Sequence, residues 1–133
     1  MPTGLAHSGL ELWHRIVKTR DMAALDHLLA DGVVFHSPVV HTPQVGKAIT
    51  RQYLEAALLV LNGPDFKYVG SCTEGPRSVL EFQTTVEGLH VNGVDIITWS
   101  ADGRQIVDFK VMVRPLKAIN ILHQAMGQLL AKG

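Results

Sequence analysis

The chain has 133 residues, 47% of them hydrophobic, which fits one domain with a full core and excludes a disordered polymer. Twelve Lys and Arg balance twelve Asp and Glu with no basic run, which argues against nucleic acid or an anionic membrane as partner. No apolar run approaches the roughly 20 residues of a membrane span, the N-terminal MPTGLAHSGLELWHR lacks the apolar core of a secretory signal, and Cys72 has no partner for an internal disulfide, so a reducing cytoplasm is the expected location.

Taken in order, Leu10, Trp13, Ile16 and Val17 recur at helical spacing and predict a first amphipathic helix between Ser8 and Thr19. Asp21 is a suitable N-cap for a second helix with Leu25, Leu28 and Leu29 on its apolar stripe, and Gly32 fits the position just past its end. Val33 to Ser37 reads as a short strand stopped by Pro38, and Val39 to Gly46 as a loop. A third helix is expected over Lys47 to Leu61, ended by Asn62-Gly63-Pro64. Then the period changes to that of strands: Phe66 to Cys72, Ser78 to Glu87, His90 to Ser100 and Gln105 to Arg114, with a closing helix carrying Leu116, Ile119, Leu122, Met126, Leu129 and Leu130. Helices segregated from antiparallel strands make an α+β fold, with the helices on one face of a curved sheet, in a single domain spanning 1–133. Both faces of the last hairpin are apolar, and a two-fold homodimer through the outer face of the sheet would cover the second one.

That hairpin, joined at Ser100-Ala101-Asp102-Gly103, carries one acid, Asp95, between Val94 and Ile96. An unpaired carboxylate in so apolar a strand is costly to desolvate, so Asp95 is expected to be paired, protonated or at a cavity. Burial would raise its pKa and leave a neutral acid that donates a hydrogen bond. The structural alternative is an acid satisfied by a backbone N–H or by Trp13.

The order of elements, with Asp21, Ala30-Asp31-Gly32-Val33-Val34-Phe35-His36-Ser37-Pro38-Val39, Gly46 with Arg51 and Tyr53, Gly93-Val94-Asp95, and Asp102-Gly103 before Ile106-Val107-Asp108-Phe109-Lys110, resembles the nuclear transport factor 2-like superfamily, in its SnoaL-like and ketosteroid-isomerase-like branch. The resemblance implies a cone whose mouth opens between helices and concave sheet. In ketosteroid isomerases a carboxylate at the end of the first strand shuttles a proton, while a tyrosine on helix one and a protonated aspartic acid on the sheet hold the enolate oxygen. Asp95 falls on the protonated-acid position, Ser37 on that of the shuttling carboxylate and Trp13 on that of the tyrosine. A hydroxyl is a poor base and an indole N–H only donates, so ketosteroid isomerisation is not expected. The Asp–Arg–Asp arrangement of the similar limonene epoxide hydrolases is also incomplete, with Gly93 and Val111 at two of its three positions.

The reading is therefore a small-molecule-binding protein with an apolar pocket. Its ligand would be an apolar or aromatic carbonyl compound, with isomerase-, cyclase- or dehydratase-type proton transfer as its candidate chemistry. Asp95 and His41 are the candidate catalytic residues; Trp13, Ser37, Tyr53, Phe82 and Trp99 are the candidate ligand-binding residues. The alternative is a non-catalytic carrier or dimerisation module of the same fold. Neighbours in a strand face opposite ways, so His36 is expected to face outward if Ser37 faces in. His36, His41 and His90 lack metal-site spacing, and no phosphate-binding loop is present, so neither metal nor organic cofactor is expected. Cys72 is read as packing.

Overall fold

A computed structural model describes residues 3–132, with side chains from Ser8 to Ala131. The elements run α1 (Thr3–Thr19), α2 (Met22–Leu28), β1 (Leu29–His36), β2 (Gln44–Val45), α3 (Lys47–Leu61), β3 (Lys67–Glu74), β4 (Arg77–Val86), β5 (Leu89–Trp99), β6 (Ile106–Arg114) and α4 (Leu116–Lys132). The strands form one curved, unclosed sheet in the order β2-β1-β6-β5-β4-β3. The expected α+β architecture is present, with two differences. β1 pairs with β6 in parallel, Phe35 opposite Phe109 and His36 opposite Lys110, whereas every other pair is antiparallel. A parallel neighbour demands a long crossover, and here α3 and the β3–β5 meander supply it. The segment expected to be a loop before α3 also contains β2, which caps the sheet edge against Val34 and Phe35.

Local chemistry sets the boundaries. The Asp21 carboxylate accepts from the Ala24 N–H at 3.1 Å, closing the first turn of α2 as an N-cap should. α2 ends at Leu28, not at Gly32. Leu29 has already turned to extended backbone, with φ −83° and ψ 130°, and pairs with Ile106, so the chain enters the sheet directly after Leu28. Gly32 instead sits in an irregular part of β1, where the register slips between Leu29 and Val34. α3 starts and stops where the sequence indicates.

Alternation along β4 and β5 buries Leu80, Phe82, Val91, Asp95, Ile97 and Trp99 on the concave face beneath the helices. The opposite face aligns Val79, Ile96, Lys110 and His36 in register, with Met112 half exposed beside them. His36 does face outward, and its Nε2 lies 2.9 Å from the Asp108 carboxylate on the neighbouring strand. Cys72 is exposed on the edge strand β3 rather than packed.

Two glycines hold space for aromatic rings. A Cβ on Gly93 would lie 2.4 Å from the Phe82 ring and 2.7 Å from the Met112 carbonyl oxygen. A Cβ on Gly9 would strike Trp99 and the Gly103 carbonyl at 2.6 Å, the same carbonyl that accepts the Gly9 N–H at 3.1 Å. α1 thus docks directly on the turn between β5 and β6.

Candidate ligand cavity around Asp95

Between the concave sheet and the helices lies a narrow cavity of about 40 Å³, room for a few waters. α3 walls it with Leu54, Ala57, Leu58 and Leu61, α4 closes it with Leu122 and Met126, and the aromatic rings of Trp13, Phe35, Phe66, Tyr68, Phe82 and Phe109 complete it. The polar groups of the wall residues are those of Asp95, Tyr68 and Asn62 and the indole N–H of Trp13. The Asn62 amide donates to the Val17 carbonyl, which ties the end of α3 to α1.

Asp95 is 6% exposed and sits between Leu80 and Val111 on the flanking strands. Its Oδ2 accepts a 2.6 Å hydrogen bond from the Tyr68 hydroxyl, which in turn accepts from Trp13 Nε1 at 3.0 Å. Tyr68 is on β3, two strands from β5 and so about 10 Å away across the sheet. Only the concavity of the sheet and the length of a phenol allow the two to meet. The Phe66 and Phe82 rings flank the phenol, at centroid distances of 5.2 and 6.4 Å. Gly93, across from Phe82 in the register, leaves that ring its place.

Burial pushes the Asp95 carboxyl up to about 7, and the Tyr68 hydrogen bond pulls the other way without cancelling it. Burial, followed by the adjacent carboxylate, raises the Tyr68 phenol well above its usual value, so Tyr68 stays a neutral donor. Beyond the Tyr68 bond, the Asp95 carboxyl makes no hydrogen bond among the described residues, which leaves Oδ1 without a protein partner there. The site therefore presents one acid oxygen to an apolar chamber, and the acid changes charge near neutral pH.

Of the candidate residues, the cavity brings together Asp95, Trp13 and Phe82. It does not include the others. Tyr53 packs on Phe35 with ring centroids 5.5 Å apart, the same ring that meets Phe109 at 6.2 Å, and it does not reach the cavity wall. Trp99 is buried at the other end of β5, where its Nε1 donates to Ser78 Oγ at 2.9 Å. Strand parity put Trp99 on the correct face, but the distance along β5 carries it past the cavity. Ser37 and His41 line a separate open depression with His36, Pro43 and Lys110. The Ser37 hydroxyl is occupied there as acceptor of the Val39 N–H at 3.0 Å, and His41 is exposed. Pro38, Val111 and Val113 stand between the two spaces. No group of three or more His, Cys, Asp or Glu that would hold a metal occurs among the described residues.

Tyr68 is the residue that sequence reasoning passed over. A faint signal existed: in the strand after Pro64, Phe66 and Tyr68 share a face, and a tyrosine on an inward face must find a partner for its hydroxyl.

A family model described as a SnoaL-like domain matches residues 10–109. Among solved structures, one described as a steroid Δ-isomerase from Pseudomonas aeruginosa is 36% identical, with a TM-score of 0.89 over 96% of this chain and 92% of that one. An uncharacterised protein with a cystatin-like fold from Silicibacter pomeroyi is 31% identical, with a TM-score of 0.83 over 92% of this chain and 84% of that one. The epoxide hydrolase/cyclase-like enzyme SalBIII of salinomycin pyran-ring formation shares the fold at 16% identity, with a TM-score of 0.69 over 86% and 95% of the two chains. No curated protein matches.

Proposed function

The chain belongs to the SnoaL-like domain family, and from that premise we propose that it binds a small, uncharged, apolar carbonyl compound in the Asp95 cavity. One observation carries this reading: a single buried acid, neutral over the lower part of the physiological range, is the one acid in an aromatic and aliphatic chamber with no cationic wall residue. A carboxylate ligand would meet no counter-charge there, and a polyol would leave most of its hydroxyls unpaired. A carbonyl oxygen needs one donor, which neutral Asp95 supplies. Trp13 and Phe82 contribute flat apolar surface. The similarity to the Pseudomonas aeruginosa protein described as a steroid Δ-isomerase supports a carbonyl-bearing ligand. Any aromatic ketone exceeds a space that holds a few waters, so ligand entry requires the wall to widen, with Leu122 and Met126 of α4 moving outward.

Proton-transfer chemistry is the second reading, favoured by the near-neutral titration of Asp95. In it, Asp95 protonates or hydrogen-bonds the developing oxyanion. His41, or a water held by Ser37, would serve as base only through movement of Pro38, since both residues stand outside the cavity wall. The absence of a second carboxylate from the lining favours binding over turnover. The outer sheet face, with Met112 half exposed beside Ile96 and Val79, supports a homodimer. The lone exposed Cys72 fits a reducing cytoplasm. No helix among the described residues is long and apolar enough to cross a membrane.

Acetophenone labelled with ¹³C at the carbonyl tests the proposal. Binding at pH 5.5 with a downfield carbonyl shift is expected, weakening above pH 7. Asp95→Leu should lose about 10- to 100-fold in affinity, the worth of a hydrogen bond from a polar group in an apolar site. Unchanged affinity in Asp95→Leu would remove the carbonyl reading. Exchange of the ketone methyl protons with D₂O, abolished by Asp95→Asn, separates a catalyst from a carrier.

A further inference from the structure

We propose that Trp13 is a positioning residue that acts through Tyr68 to fix which oxygen of Asp95 carries the proton, and so makes the cavity a hydrogen-bond donor selective for acceptor ligands. The ligand half of this statement rests on the binding reading above; the proton half does not. An indole N–H can only donate. Trp13 Nε1 points at the Tyr68 hydroxyl oxygen at 3.0 Å, so that oxygen is an acceptor and its proton must go elsewhere. Asp95 Oδ2, at 2.6 Å, is the acceptor that the hydroxyl finds among the described residues. The reverse arrangement, with Asp95 donating from Oδ2, would leave the tyrosine proton without a partner beside Phe66 and Phe82. The chain of bonds thus has one direction, from Trp13 to Tyr68 to Asp95.

A direction for the bonds is a location for the proton. With Oδ2 engaged as acceptor, the neutral acid holds its hydrogen on Oδ1, the oxygen that has no protein partner among the described residues. Ligands with a carbonyl, ether or epoxide oxygen are then accepted while Asp95 is neutral, and hydroxyl donors only once it has ionised. A hydroxyl-bearing residue in place of Trp13 would accept or donate with equal ease and leave the direction open. Trp13 is in this sense the residue that determines specificity, although the ligand-facing atom belongs to Asp95.

The test needs no ligand. The Asp95 titration midpoint is read by carboxyl-carbon NMR in four proteins: the starting protein, Trp13→Phe, Tyr68→Phe and the double variant. His14, whose ring packs edge-on to Tyr68 at 5.2 Å, is replaced by Gln in all four so that its charge does not enter. Tyr68→Phe should raise the midpoint by about one to two units, the worth of a hydrogen bond to a charged acceptor. Trp13→Phe should raise it by a fraction of a unit, through the weakened Tyr68 donor. In the Tyr68→Phe background, Trp13→Phe should add nothing. An equal shift with and without Tyr68, or no shift in its presence, overturns the relay. Should Trp13→Phe fail to fold, 3-fluorotyrosine at position 68, a stronger donor of the same shape, should lower the midpoint, and an unmoved value would overturn the proposal. Failure of acetophenone to bind would instead remove the functional reading and leave the relay standing.

Discussion

Replacing Asp95 by Asn turns a titrating group into a permanently neutral one of the same outline. The asparagine carbonyl can still accept from Tyr68, so the change isolates the charge. In the folded protein burial lifts the carboxyl from 3.8 to about 7. The folded state therefore holds the proton more tightly than the unfolded chain does. The stability due to that proton is fully present below about pH 3.8 and drains away as pH rises to 7. A shift of about three units corresponds to on the order of 4 kcal/mol, at roughly 1.4 kcal/mol per unit, a large share of the 5–15 kcal/mol that is typical of a domain. Urea unfolding of both proteins from pH 4 to 8 gives the comparison, because other titrations cancel in the difference. The stability of the parent relative to Asp95→Asn should fall steadily between pH 4 and 7 and level off above. If the two stabilities run parallel across that window, Asp95 is not a desolvated acid, and its role as neutral donor fails with it.

Three further outcomes follow from packing. Gly93→Ala, whose Cβ would lie 2.4 Å from the Phe82 ring, should cost about 1–3 kcal/mol by overpacking, and an unchanged denaturation midpoint would mean that the close approach is not real. Leu122→Ala removes a side chain that is 1% exposed at the α4 face of the cavity; it should cost about 2–5 kcal/mol and improve binding of 2-acetonaphthone relative to acetophenone, whereas an unaltered preference would deny Leu122 a place in the wall. Ile96→Lys, on the outer face, should halve the molar mass seen by light scattering, and a parent that is already monomeric at the same concentration would refute the outer-face dimer.

The fold was legible because its signals are local. Asp21 as a cap, the Asn62-Gly63-Pro64 stop and the period-2 strands all report on neighbours within a turn or a pleat, and the structure honours them. Gly32 misled for the same reason: its chemistry suits a helix end, but the pairing of Leu29 with Ile106, set far away in the chain, draws the backbone into a strand first. The acid was legible because a charge in an apolar run needs an explanation wherever it lies. Its partner was not, since the meeting of Tyr68 and Asp95 depends on curvature across three strands. Position along a strand was equally hidden, so Trp99 and Asp95 share a face and yet serve different places, one anchoring α1 near Gly9 and the other facing the cavity.

The docking of α1 has a consequence for how the chain reaches its native state. Gly9 bonds to Gly103, Trp13 reaches Tyr68, and β1 lies against β6. Each of these contacts joins the start of the chain to parts made much later. During synthesis the first helix and first strand must wait for the last hairpin, exposing the stripe of Trp13, Ile16 and Val17 meanwhile, while α3 and the β3–β5 meander can organise on near neighbours. Such long closures make folding slow and leave the N-terminal third as the segment open to aggregation or to capture by a chaperone. The same ordering means that the hydrogen bonds around Asp95 are among the last to form.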